Sequence, residues 1–200
     1  MMTELTPDSG NRIAYLIGLM FHPFVMAVLT LLIILSELPL QEGISWTLLI
    51  SVILIIPLII YLALRRRQGQ YAYQRQMRGG VYRVGWISIL VTLMLIHLLH
   101  APDVLTACMA ALAVWLPFQS SINRWITKVS THTAVVTGCL TGLWLLGYLN
   151  RPLWQVLAIT MIGLTAWARV VNKNHTPVQV MLGIMTGALP VLIVFPILMG

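Results

Sequence analysis

Seven long apolar stretches, separated by short polar ones, run along the chain at approximately 13–36, 44–64, 82–100, 103–121, 130–149, 152–168 and 176–198. Each is close to the roughly 20 apolar residues that cross a bilayer as a helix. Backbone N–H and C=O groups in lipid find no water to bond, so each stretch must satisfy its own polar groups by coiling. Pro23, Pro57 and Pro117 fall inside three of the stretches, where they kink a helix and do not stop it. The pattern predicts an all-α integral membrane protein of about seven transmembrane helices forming one membrane domain over 1–200. A tail at 1–12 precedes it, and the one long connection is the segment 65–81.

Composition strengthens this reading. Hydrophobic residues make up 59% of the 200 and charged ones 8%, against roughly 25% charge in a soluble domain. Glu4, Asp8 and Arg12 stand in the first dozen residues, and the apolar run behind them is of full length, unlike a cleavable signal. Cys108 and Cys139 both lie inside predicted spans, which fits small core residues and neither a disulfide framework nor a metal motif. The net charge of +7 reads as topology and attraction to anionic lipid headgroups, not as a nucleic-acid footprint. Seven spans put Arg12, Arg65, Arg66, Arg67, Arg75, Arg78, Arg83, Arg124, Lys128, Arg169 and Lys173 on one side and leave only Arg151 on the other. The positive-inside rule assigns the crowded side to the cytoplasm, in a bacterium the inner face of the plasma (inner) membrane.

Two polar knots interrupt the apolar text, and both fall on that basic side. The first is "KVSTHT", Lys128 to Thr133, at the mouth of the fifth stretch. The second runs from Ala168 to Gln179, "ARVVNKNHTPVQ", and opens the seventh. A helix start offers free N–H groups and a positive dipole end, which suit a phosphate. Ser130, Thr131 and His132 occupy one such start, with Arg124 and Lys128 just outside it. In the other, Arg169 closes one helix and His175 precedes the next, with Pro177 fitted to a first helical turn. Two His and several cations, with no carboxylate nearby, favour an anion over a metal.

These residues resemble the type 2 phosphatidic acid phosphatase (PAP2) superfamily of membrane lipid phosphatases. Val129-Ser130-Thr131-His132 is similar to the family's Pro-Ser-Gly-His motif. Ala168-Arg169, five residues, His175, three residues, Gln179 is similar to its Ser-Arg, five residues, His, three residues, Asp motif. The likeness covers roughly 120–190. The family's first motif, Lys, six residues, Arg-Pro, has no counterpart, and Arg124 with Lys128, or Arg75 with Arg78, are the cations available to replace it. Thr131 stands for a Gly, and Gln179 for the Asp that orients and charges the nucleophilic His.

The resemblance implies a PAP2-like helical bundle and hydrolysis of a lipid phosphate or isoprenoid diphosphate without metal or cofactor. His175 is then the nucleophile, forming a phosphohistidine. His132 is the general acid and later the base. Gln179 holds the His175 ring, while Arg169, Lys128, Arg124, Ser130 and Thr131 bind the phosphate. Arg75 and Arg78 are additional clamps if the basic loop folds back. A rival reading makes the chain a non-catalytic relative that binds lipid headgroups or serves as an accessory subunit of a membrane complex. Simple helix capping accounts for Ser, Thr and Asn at both knots. His22, inside the first stretch and before Pro23, is an intramembrane ionisable group, for which a packing or kink role is expected. Gly138 with Gly142, and Gly183 with Gly187, form small-xxx-small pairs suited to close packing of the fifth and seventh stretches.

Overall fold

The computed structural model describes residues 9–69 and 75–200, with side chains described over 12–69 and 79–200. Among these residues the elements are α1 (Ser9–Met20), α2 (Pro23–Ile34), α3 (Leu40–Arg67), α4 (Arg75–Leu98), α5 (Asp103–Trp125), α6 (Thr131–Leu145), α7 (Pro152–Val171) and α8 (Pro177–Met199). A 3-10 turn at Leu35–Glu37 follows α2, and no strand occurs among the described residues. The expectation that Arg75 and Arg78 clamp a ligand concerns side chains outside the described ones, as does residues 70–74 of the basic loop.

The span count differs from seven in two places. Five helices are long and apolar enough to cross a bilayer, and the α1–α2 pair, bent by 40°, makes a sixth. The first stretch is broken because Pro23 does not sit inside a helix; it opens α2, with His22 as the N-cap. The fifth stretch yields only the 15 residues of α6, about 22 Å of helix against the roughly 30 Å of a hydrocarbon core. Local signals set both its ends. Ser130 starts it as N-cap. At the other end Gly147 takes φ 85°, Gly147 N–H donates to Trp144 O, and Tyr148 N–H donates to Leu143 O. That pair of bonds is a Schellman closure, which a glycine in the left-handed region favours.

The most extensive helix contact in the bundle is between α6 and α8. Glycine makes it possible. A Cβ on Gly187 would collide with the Ala134 carbonyl, one on Gly183 with Thr133 Oγ1, and one on Gly138 would sit 3.1 Å from Gly187 O. The two helices run in the same direction, because Ser130 and Thr133 meet Gly183 at one end while Gly142 meets Val191 and Phe195 towards the other. α2 packs on α6, α5 on α8, and α1 on α7. Buried Leu31, Ile34, Leu35, Ile50, Ile96, Leu105, Met109 and Leu143 form an apolar cluster at the end away from the knots.

Gly187→Ala is expected to destabilise the protein by about 1–3 kcal/mol, the range for overpacking, because the obstacle is backbone and cannot swing aside. Gly163 lies in α7 with nothing within 4 Å of a Cβ, so Gly163→Ala is the matched control. Thermal unfolding in detergent should show a lowered midpoint for the first and none for the second.

Candidate active site

The α6–α8 contact brings the two polar knots together. Ser130 backbone N–H donates to Gln179 O at 3.2 Å, and Thr133 Oγ1 donates to Val180 O at 3.3 Å. Lys128 Nζ reaches across to donate to Asn174 O at 3.1 Å. In a bundle this apolar each such bond satisfies a group that lipid could not.

Each knot is shaped by helix-end chemistry. Ser130 is fully buried and its Oγ accepts from Thr133 N–H at 3.4 Å. Thr131 begins α6, and its Oγ1 accepts from Gln119 Nε2 at 3.1 Å. Gln119 in turn accepts from Thr186 Oγ1 at 3.3 Å, and both residues are 0% exposed. This buried polar chain joins α5, α6 and α8 behind the site. Sequence reading missed it because a single Gln inside an apolar helix carries no motif.

The other knot owes its spacing to the end of α7. Lys173 N–H donates to Val170 O, Asn174 N–H donates to Arg169 O, and Lys173 takes φ 53°. The pattern is again a Schellman closure, here with Lys at the position glycine favours. Because the chain turns back on the Arg169 carbonyl, His175 N–H also reaches that oxygen, at 3.2 Å. Six residues in sequence therefore become neighbours in space. α8 then starts with a capping box: Thr176 Oγ1 accepts from Gln179 N–H, and Gln179 Oε1 accepts from Thr176 N–H at 3.3 Å. Thr176 and Gln179 form the Thr-x-x-Gln signature of a helix start, a signal that the sequence reading passed over.

Gln179 Oε1 also lies 3.2 Å from His175 Nδ1. A backbone N–H can only donate, so the Thr176 bond fixes which amide atom is oxygen. That oxygen cannot donate, so His175 Nδ1 is the donor, and in the neutral ring Nε2 is the unprotonated nitrogen. Gln179 Nε2 is meanwhile held by Thr127 Oγ1 at 3.2 Å. The amide of Gln179 is thus held at both its ends and fixes the tautomer of the neutral His175 ring.

His175, 8% exposed, lines a cavity of about 510 Å³ together with His132, Lys128, Thr131, Arg169, Asn174 and His22. No Asp or Glu is among the described residues that line it. Away from this polar end the walls are apolar, formed by residues such as Leu31, Ile50, Leu54, Ile89, Leu112, Val191 and Phe195. The lining residues of α8 run from Gly187 to Phe195, about 12 Å of helix at 1.5 Å per residue. With His175 at its polar end and Phe195 in its apolar wall, the cavity suits an apolar ligand with an anionic end. Among the described residues, no three His, Cys, Asp or Glu side chains gather as a metal site.

Two residues expected at the phosphate lie elsewhere. Ser130 does not line the cavity, its Oγ being turned to the cap. Arg124 is exposed at the end of α5, its guanidinium 5.9 Å from the Trp125 ring centroid, and does not line it either. One unexpected residue takes part: His22 lies edge-to-face with His132, ring centroids 5.4 Å apart.

The PAP2 superfamily model matches residues 87–199, the stretch from α4 to the end of α8 that contains both knots. No curated protein and no solved structure matches the chain at a significant level.

The pinned tautomer has a direct spectroscopic test. In ¹⁵N-labelled protein the neutral His175 ring should be protonated at Nδ1. Gln179→Leu should abolish that preference and lower stability by about 1 kcal/mol through loss of the capping box.

Proposed function

From a chain that belongs to the PAP2 superfamily, we propose a metal-independent membrane phosphatase that hydrolyses a lipid phosphate or isoprenoid (di)phosphate at the cytoplasmic face. The observation that carries this reading is the His175 ring, its Nδ1 3.2 Å from Gln179 Oε1, at the cationic end of an otherwise apolar cavity.

In the proposed reaction His175 Nε2 attacks phosphorus, and the bond from phosphorus to the lipid oxygen breaks with its electron pair going to that oxygen. His132 delivers a proton to the departing oxygen. Arg169 and Lys128 offset the charge on the equatorial oxygens, and Thr131 adds a hydroxyl. Water, deprotonated by His132, then attacks the phosphohistidine, releasing inorganic phosphate and restoring His175. The apolar walls take the lipid tail, so the membrane supplies substrate along the length of the cavity.

Gln179 shapes the energetics. An Asp to Asn change in a serine protease triad costs about 10⁴ in rate, chiefly through the wrong tautomer. Here the capping box prevents that loss, since the amide oxygen faces the ring. What remains missing is the negative charge opposite the imidazolium formed on attack. Gln179→Glu keeps the side-chain length and adds that charge. It should raise kcat about tenfold, the step from a neutral to a charge-assisted hydrogen bond.

A second reading rests on the same residue. A neutral Gln179 at the family's Asp position, with no counterpart of the first motif, suits a protein that holds a lipid headgroup, or joins a membrane complex, without turning substrate over. Phosphate release from a panel of lipid phosphates separates the two. The enzyme reading expects release by wild type, none by His175→Ala, and a loss of about 10²–10⁴ in His132→Ala. Vesicle binding by wild type without release on any substrate would establish the second reading. For sidedness, a cysteine at exposed Gln68 should react with an impermeant thiol reagent only from the cytoplasmic side.

A further inference from the structure

We infer that His22, in the break between α1 and α2, is a positioning residue for His132 and a working part of the site proposed above. The inference rests on that reading of the site, but it concerns a segment outside residues 87–199, which the family model matches.

Three observations converge on this corner. The His22 ring lines the same cavity as His132, Arg169 and His175. It stands against His132 at 5.4 Å between centroids and 88° between planes, within the separation at which edge-to-face ring pairs attract. One turn earlier, Gly18 is buried with Arg169 Nη1 3.6 Å from where its Cβ would be. The α1–α2 corner therefore backs both the ring expected to move protons and the guanidinium expected to hold phosphate.

The break gives His22 a defined chemical state. As N-cap of α2 its Nδ1 accepts from Phe24 N–H at 3.3 Å. An accepting Nδ1 is unprotonated, so the neutral ring carries its proton on Nε2. Protonating Nδ1 would cost the cap and set a cation near Arg169 and beside the imidazolium form of His132. The cap thus keeps a neutral, rotationally fixed ring next to His132, limiting the orientations His132 can take. A ring that must protonate one oxygen and then accept a proton from water gains from being held in one orientation. A kink or packing role alone requires only the cap and the proline. It does not require an imidazole facing the cavity.

Asn caps helices as well as any residue, so His22→Asn removes the ring and keeps the cap, while His22→Ala removes both. With the full-length protein in detergent, His22→Asn should keep the wild-type thermal midpoint and KM within about twofold. Its kcat should fall about tenfold, a typical cost of a misplaced catalytic group well short of its removal. The limb of the pH–rate profile carried by His132 should move as well. His22→Ala should add a lowered midpoint. A His22→Asn variant with wild-type kcat and pH profile would reduce His22 to a helix cap and overturn the inference. Should wild type release no phosphate from any lipid phosphate, the phosphatase reading fails by itself. The His22 inference is then decided by the titration of His132 ring resonances in wild type and His22→Asn. A displaced midpoint supports it, and superimposed curves overturn it.

Discussion

Everything at the polar end of this bundle depends on how closely α6 and α8 approach. Side chains at 183 and 187 would drive Ser130, Thr133 and Ala134 away from α8. With glycine at both, the start of α6 comes within hydrogen-bonding distance of the first turn of α8, and Ser130 N–H finds Gln179 O. In lipid, apolar surface provides no driving force between helices, so small residues and interhelical hydrogen bonds carry the association. The packing and the chemistry are therefore one constraint. The contact that holds the helices also sets His132 and His175 on one cavity.

The helix ends convert that contact into a site. An unpaired N–H or C=O at a helix terminus must find a partner, and here the partners are the residues of interest. Ser130, Thr176 and Gln179 all cap, and the Arg169 carbonyl closes the turn that carries His175. Capping and function were posed as alternatives for these residues at the level of sequence. For Ser130 the structure shows the cap alone, whereas the capping box of Thr176 and Gln179 also holds the His175 ring.

The sequence made the membrane class, the helical elements and the pairing of the two knots legible. Length and apolarity identify spans almost without competition, and the spacing of Arg169 from His175 is a local property of one turn. The boundaries were harder. Nothing in a run of apolar residues separates a helix of 15 from one of 20, so the stretch 130–149 starts with α6 but overruns its other end, which Gly147 closes. Pro23 was read as a kink within a span, whereas His22 and Pro23 together stop one helix and start another. Arg124 was adjacent to the first knot in sequence but turns outward beside Trp125. The contacts of His22 and Gln119 were beyond reach for a different reason. Both join the site through contacts between helices far apart in the chain, and no local pattern encodes such a contact.

The charge balance of the cavity gives Gln179 a consistent place. Lys128 and Arg169 line a cavity with no carboxylate among its described lining residues, a charge balance that favours an anion. An Asp at 179 would strengthen the imidazolium on His175 but would also set a negative charge close to the incoming phosphate. With Gln the ring keeps its tautomer, and the positive charge that develops on attack is opposed by the bound phosphoryl oxygens alone. Within the proposed mechanism this favours retention of the anion over speed. It also makes the exact placement of His132 matter more, since proton delivery must then supply assistance that a carboxylate does not. A fixed neutral imidazole at position 22, capped so that it adds no further charge to the cavity, meets that requirement.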